Sequence, residues 1–130
     1  MQNLIPSLGL SILAGVMAVS ASQASEPVVV EWAPFIKAEG VADQALIEAA
    51  DKVNIDFLKK QKGYVSRELV KKSDHEYADI LHWTTKADAI AASEKIHDCE
   101  VCGAYFKLMD FEANAKAGAG FSHYTILKKW

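Results

Sequence analysis

Two cysteines stand three residues apart in His97-Asp98-Cys99-Glu100-Val101-Cys102, and the chain has no others. That spacing is compatible with three chemistries. The sulfurs can close an intramolecular disulfide, cycle as a redox pair, or join the His97 imidazole as soft ligands for copper(I) or zinc. A closed tetrahedral zinc site needs a fourth ligand, which Asp98 or Glu100 supplies only if the backbone turns back. The c-type haem signature requires His directly after the second Cys, and Gly103 stands there instead. A thioredoxin-like motif follows a strand, whereas this one follows a helical pattern. Outside the cytoplasm the disulfide is the default.

A second set of residues is scattered over strand-like segments. His123, Asp79 and Trp83 are the candidate catalytic residues, and Trp32, His82 and Tyr124 the candidate ligand-pocket residues. Glu31 and His123 are polar residues in otherwise apolar strands, and a buried polar side chain needs a partner. A carboxylate paired with a histidine meets that need structurally as well as in acid–base catalysis. Trp32 and Trp83 serve equally as core packing. Asp79 and His82 are three residues apart on one strand, so they face opposite sides of the sheet. The chain has no Ser-His-Asp spacing, phosphate-binding loop, glycine-rich dinucleotide turn or HExxH run, which argues against hydrolase, kinase and dehydrogenase readings. No cofactor is expected.

The elements that must hold these residues follow from periodicity. Val28 to Ile36 reads as a strand whose consecutive valines suit burial on both faces, with Pro34 at an edge, bulge or end. From about Ala42 to Gln61, Leu46, Ile47, Ala50, Val53, Phe57 and Leu58 recur at three- and four-residue steps, a helix that Gly63 ends. Gly63 to Trp83 reads as a hairpin turning at Lys72-Ser73-Asp74-His75-Glu76. Alternation puts Val65, Arg67 and Leu69 on one face of its first strand, and Tyr64, Ser66, Glu68 and Val70 on the other. In its second strand Tyr77, Asp79, Leu81 and Trp83 share a face, opposite Ala78, Ile80 and His82. Thr85 to Asp88 resembles a capping box for an alanine-rich helix from Ala87 to His97. A helical turn or two over Cys102 to Met109, a flexible loop over Glu112 to Gly120, and a last strand over Phe121 to Trp130 complete the chain.

This β-α-β-β-α-β order predicts an α+β, ferredoxin-like domain: a four-stranded antiparallel sheet with both helices on one face. Trp32, Ile80, Tyr124 and Ile126 alternate with Val30, Leu81 and Phe121, so neither face is convincingly polar. Self-association, as a homodimer, is the simplest cover for the second face.

The stretch GYVSRELVKKSDHEYADILHWTTKADAIAA resembles the antibiotic biosynthesis monooxygenase-like branch of the dimeric α/β-barrel superfamily. The shared features are a Gly-aromatic entry to the second strand, a polar turn, and a D-I-x-x-W strand before a Thr-capped helix. The His123-Tyr124 strand fits as well, so the resemblance spans Val28 to Trp130. It implies a homodimer whose two sheets close into a barrel, with a pocket between each sheet and its helices. It also implies a small-molecule ligand, and as one activity a cofactor-independent monooxygenase acting on a small aromatic or quinol-type substrate. The alternative is a non-enzymatic module binding a small ligand or a metal. The haem-degrading branch places a Trp in the second helix, where this chain has Ala, Ile and Ser.

Residues 1–24 read as a signal peptide: Leu8 to Val19 is an apolar run too short for a comfortable membrane span, and Ser22-Gln23-Ala24 suits cleavage. Its n-region lacks Lys and Arg, so a retained anchor helix is the competing reading; no Cys marks a lipoprotein. Residues 25–130 form one domain, expected in the periplasm or secreted, without stable membrane association after cleavage. The net charge of −3 is carried wholly by that domain, with both signs interspersed, and no basic stripe marks a nucleic-acid partner. Lys59, Lys60 and Lys62 sit where a helix ends and complement its dipole.

Overall fold

Alternation over residues 63–83 builds the central hairpin. In the computed structural model, which describes Gly15 and residues 26–130, β2 (Tyr64–Lys71) and β3 (Glu76–Trp83) pair antiparallel across the expected turn. β1 (Val29–Ile36) lies on the other side of β3, and β4 (Ser122–Thr125) pairs with β1, giving the order β2-β3-β1-β4, antiparallel throughout. That is the ferredoxin-like sheet. The expected signal peptide lies outside the described residues.

One face of the sheet makes the core. Val29, Ala33 and Phe35 alternate inward along β1, and Tyr77, Leu81 and Trp83 do so along β3. They meet Leu46, Ala50 and Val53 on α1 (Asp43–Asp56), Ala89 and Ala92 on α2 (Lys86–Lys95), and Cys102 and Tyr105 on α3 (Glu100–Phe106). Leu46, Ala50 and Val53 follow the helical period, but Ile47, expected on the same face, is 45% exposed. It lies one residue past the centre of the stripe, where rotation carries it toward solvent.

The caps are as local chemistry dictates. Thr85 accepts a hydrogen bond from the Asp88 amide at 3.0 Å and starts α2. Asp88 turns its carboxylate to the Thr84 hydroxyl instead of closing the box. Gly63 has φ +79°, and a Cβ there would come within 2.7 Å of the Asp88 Cβ, so glycine is required on both counts.

Four expectations are corrected. A bulge between Tyr64 and Ser66 shifts the alternation, so Tyr64 shares the helix-side face with Arg67 and Leu69 and donates to Asn54 Oδ1. The first helix is split, with Leu58–Lys60 forming a separate 3₁₀ turn. Much of the expected loop over 112–120 is helix α4 (Phe111–Ala117), capped by Asp110 and ended by Gly118 at φ +66°. Asn114 on α4 ties it to β1, accepting from the Ile36 amide at 2.6 Å. The last strand stops at Thr125, because β1 begins at Val29 and offers only one further acceptor, Val28, to Ile126. Leu127 and Trp130 beyond it are fully exposed.

Candidate active site between sheet and helices

Antiparallel register brings two distant acid–base residues together. Glu31 on β1 lies opposite His123 on β4, and His123 Nε2 is 2.7 Å from Glu31 Oε2. Both face the helices, and the Glu31 side chain is 6% exposed. Burial pushes the Glu31 carboxyl above its ordinary value; the hydrogen bond and charge of His123 pull it back, and the nearby Asp79 pushes it up.

Beside this pair lies a second buried cluster. Arg67 Nε donates to Asp79 Oδ1 at 2.8 Å, and its Nη1 donates to the Ala50 carbonyl of α1 at 2.9 Å. The Tyr105 hydroxyl donates to the other Asp79 oxygen at 2.9 Å, and the guanidinium lies 5.0 Å from the Tyr105 ring centre. Burial opposes the charge on Arg67, but Asp79 and Tyr105 more than offset it and hold the guanidinium protonated. Burial, together with Asp79, raises Tyr105 far above the usual phenol range, so it acts as a hydrogen-bond donor and not as a base.

Glu31 and the Asp79, Arg67 and Tyr105 cluster line one cavity of about 50 Å³ between sheet and helices, walled otherwise by Trp83, Leu81, Cys102, Phe106 and Phe121. Trp83 is 1% exposed and its indole N–H has no partner, the one such buried side-chain group among the described residues. A buried donor left unpaired is costly unless something in the cavity accepts from it. A volume of this size holds a few waters or a diatomic gas; a single benzene ring needs roughly 150 Å³.

Of the expected catalytic residues, Asp79 and Trp83 line the cavity and His123 reaches it through Glu31. The expected ligand-pocket residues do not join them. Trp32, His82 and Tyr124 alternate to the open face of the sheet, where Trp32 and Tyr124 are 38% and 58% exposed. Trp32 instead borders a groove of about 290 Å³ with Ile36, Val70, Ala78 and Asn114. His82 Nδ1 lies 3.1 Å from Ser66 Oγ and 3.7 Å from the Glu68 carboxylate; both approach the same nitrogen, so no proton relay runs through the ring.

Arg67 and Tyr105 are site residues that sequence reasoning did not single out. Arg67 carried a signal, a lone cation between Val65 and Leu69 on an apolar strand face. Tyr105 carried none. Cys99 and Cys102 are joined as a disulfide with Cα atoms 5.2 Å apart. His97 is exposed, and no group of three or more His, Cys, Asp or Glu among the described residues is arranged to hold a metal.

No family model and no curated protein matches the chain. Solved structures do. SnoaB, a cofactor-independent oxygenase from Streptomyces nogalater, is 16% identical with a TM-score of 0.60, over 80% of this chain and 97% of that one. A dimeric ferredoxin-like protein from an uncultured marine organism is 8% identical with a TM-score of 0.53, over 83% and 95%. NE2512, a protein of unknown function from Nitrosomonas europaea, is 11% identical with a TM-score of 0.50, over 82% and 95%. At these identities the likeness is one of fold, the ferredoxin-like arrangement of an antiparallel sheet with helices on one face.

Proposed function

We propose that the chain is a cofactor-independent monooxygenase-like protein acting on a small aromatic or quinol-type substrate. The observation that carries this reading is the Glu31–His123 pair beside an apolar cavity lined in part by Trp83, whose indole N–H has no protein partner. Such a substrate has an acidic C–H or O–H. The Glu31–His123 pair takes the proton, leaving an electron-rich carbanion or enolate. That anion reduces dioxygen directly, the two radicals combine as a peroxide, and loss of water leaves a carbonyl. For a methylene substrate the balance is R₂CH₂ + O₂ giving R₂C=O + H₂O. The Trp83 N–H donates to the oxygen that gains charge. SnoaB, which shares the fold, is an oxygenase of the cofactor-independent type.

The cavity at its present size takes dioxygen but not a ring. The ring enters where Phe121, 47% exposed, forms part of the wall. Oxygen uptake with a series of anthrone-type and quinol compounds, without added metal or flavin, tests the reading. Uptake stoichiometric with carbonyl product is expected; its absence across the series overturns the enzyme.

A second reading, a non-enzymatic module for a small ligand, is favoured by one observation: Asp79, Arg67, Tyr105, Glu31 and His123 already satisfy one another. Native mass spectrometry of the purified protein distinguishes it, since a retained, unaltered ligand is expected of a module. The proposal includes an exported homodimer, supported by the apolar run at Leu8 to Val19 and by the open sheet face carrying Val30, Trp32, Ile80 and Tyr124.

A further inference from the structure

The Cys99–Cys102 disulfide takes no part in the reaction proposed above, yet its sulfurs stand in two different surroundings. Cys102 is 1% exposed and lines the interior cavity. Cys99 is half-buried and borders a surface hollow with Asp56, Lys95, Asp98 and Glu100. A thiolate arriving from solvent therefore meets Cys99 first. The bridge joins residues only three apart, so it removes little chain entropy and is a poor staple for the fold. It does tie the start of α3, the helix carrying Tyr105 and Phe106 into the cavity wall. The geometry points to a site of thiol–disulfide exchange, attacked at Cys99, whose redox state sets how firmly the wall of the interior cavity is held.

The reductant is a dithiol. One of its thiolates attacks Cys99 Sγ, the Cys99–Cys102 bond breaks, and Cys102 leaves as a thiolate that takes up a proton. The reductant's second thiol then attacks its own sulfur in the mixed disulfide and releases Cys99. The chain gains two electrons and two protons, and the reductant departs as a cyclic disulfide; reoxidation is the reverse. With three carboxylates and one ammonium around Cys99, cationic thiols are favoured over anionic ones.

Three measurements on the whole chain test this, and none depends on oxygenase activity. In the first, single variants react with the neutral reagent 2,2′-dithiodipyridine. Cys102→Ser, which leaves Cys99, is expected to react about tenfold faster than Cys99→Ser, which leaves Cys102. Equal rates or the reverse order overturn the assignment. In the second, the unaltered protein is reduced by dithiothreitol, followed as a gain of about 2 Da, and compared by hydrogen exchange with the oxidised form. Loss of protection over residues 96–106 with β1 and β3 unchanged is expected. Unchanged protection throughout, global unfolding, or a disulfide that resists reduction short of unfolding overturns the proposal. In a third measurement, at matched thiolate concentration, cysteamine is expected to open the bridge to the mixed disulfide, the first step, faster than 2-mercaptoethanesulfonate, with the gap narrowing in high salt; equal rates remove the charge selectivity and with it the accessible Cys99.

Discussion

Glu31 and His123, 92 residues apart, sit directly opposite each other on neighbouring strands and meet through a 2.7 Å hydrogen bond. The pair joins the first strand to the last at the edge of the core, so its chemistry bears on both stability and reaction. Glu31 has a folded-state value raised above the ordinary 4.5 by burial. A raised value means the proton stabilises the fold. That contribution is full below the ordinary carboxylate value and is lost as pH rises through the folded value. Thermal midpoints from pH 4 to 7 for the unaltered chain and Glu31→Gln are expected to converge at low pH, then diverge with the unaltered chain falling behind. A chain that gains on the variant with rising pH would show that the His123 charge outweighs burial.

Asp79 and Arg67 are a buried ion pair, with side chains 9% and 7% exposed. Removing one partner strands the other charge, so Asp79→Ala is expected to cost about 3–5 kcal/mol in urea unfolding. Replacing both with apolar residues of similar size, as Asp79→Leu with Arg67→Met, is expected to cost much less. A double variant as unstable as the single one would show that the hydrogen bonds to Tyr105 and the Ala50 carbonyl dominate.

Trp83 separates packing from chemistry. Trp83→Ala empties the largest fully buried side chain and is expected to cost about 3–5 kcal/mol. Trp83→Phe keeps most of the ring and removes an N–H that has no protein partner. Its cost is expected to stay below about 1.5 kcal/mol, while turnover on an oxygenase substrate falls. Full turnover in Trp83→Phe assigns the indole to packing alone.

Ile80 lies on the open face of the central strand β3, flanked across the sheet by Trp32 and Glu68. In the proposed homodimer that face is covered, and Ile80→Asp buries an unpaired carboxylate. Sedimentation at micromolar concentration is expected to give a dimer for the unaltered chain and a monomer or misfolded material for the variant. An unaltered chain that sediments as a monomer ends the barrel model. Ile126→Asp, at the exit of β4, is expected to act in the same direction.

Local patterning was enough for the hairpin, the order of the principal strands and helices, and the inward row Tyr77, Asp79, Leu81 and Trp83, because period-two and period-3.6 patterns are local and each position's face follows from its neighbours. Those patterns misplaced Tyr64, since a bulge alters the count without altering composition, and missed α4, whose Ala, Asn and Gly content resembles a loop until Asp110 and Asn114 find their partners. The site was half legible. Asp79, Trp83 and His123 stood out by type; Trp32, His82 and Tyr124 stood out as well, and alternation sends these three to the opposite face of the sheet. Which polar groups meet is legible only in the folded chain: Glu31 with His123, and Arg67 and Tyr105 with Asp79, across separations of 92, 12 and 26 residues. Strand register and helix docking set those encounters, and both are products of how the whole core closes over the sheet.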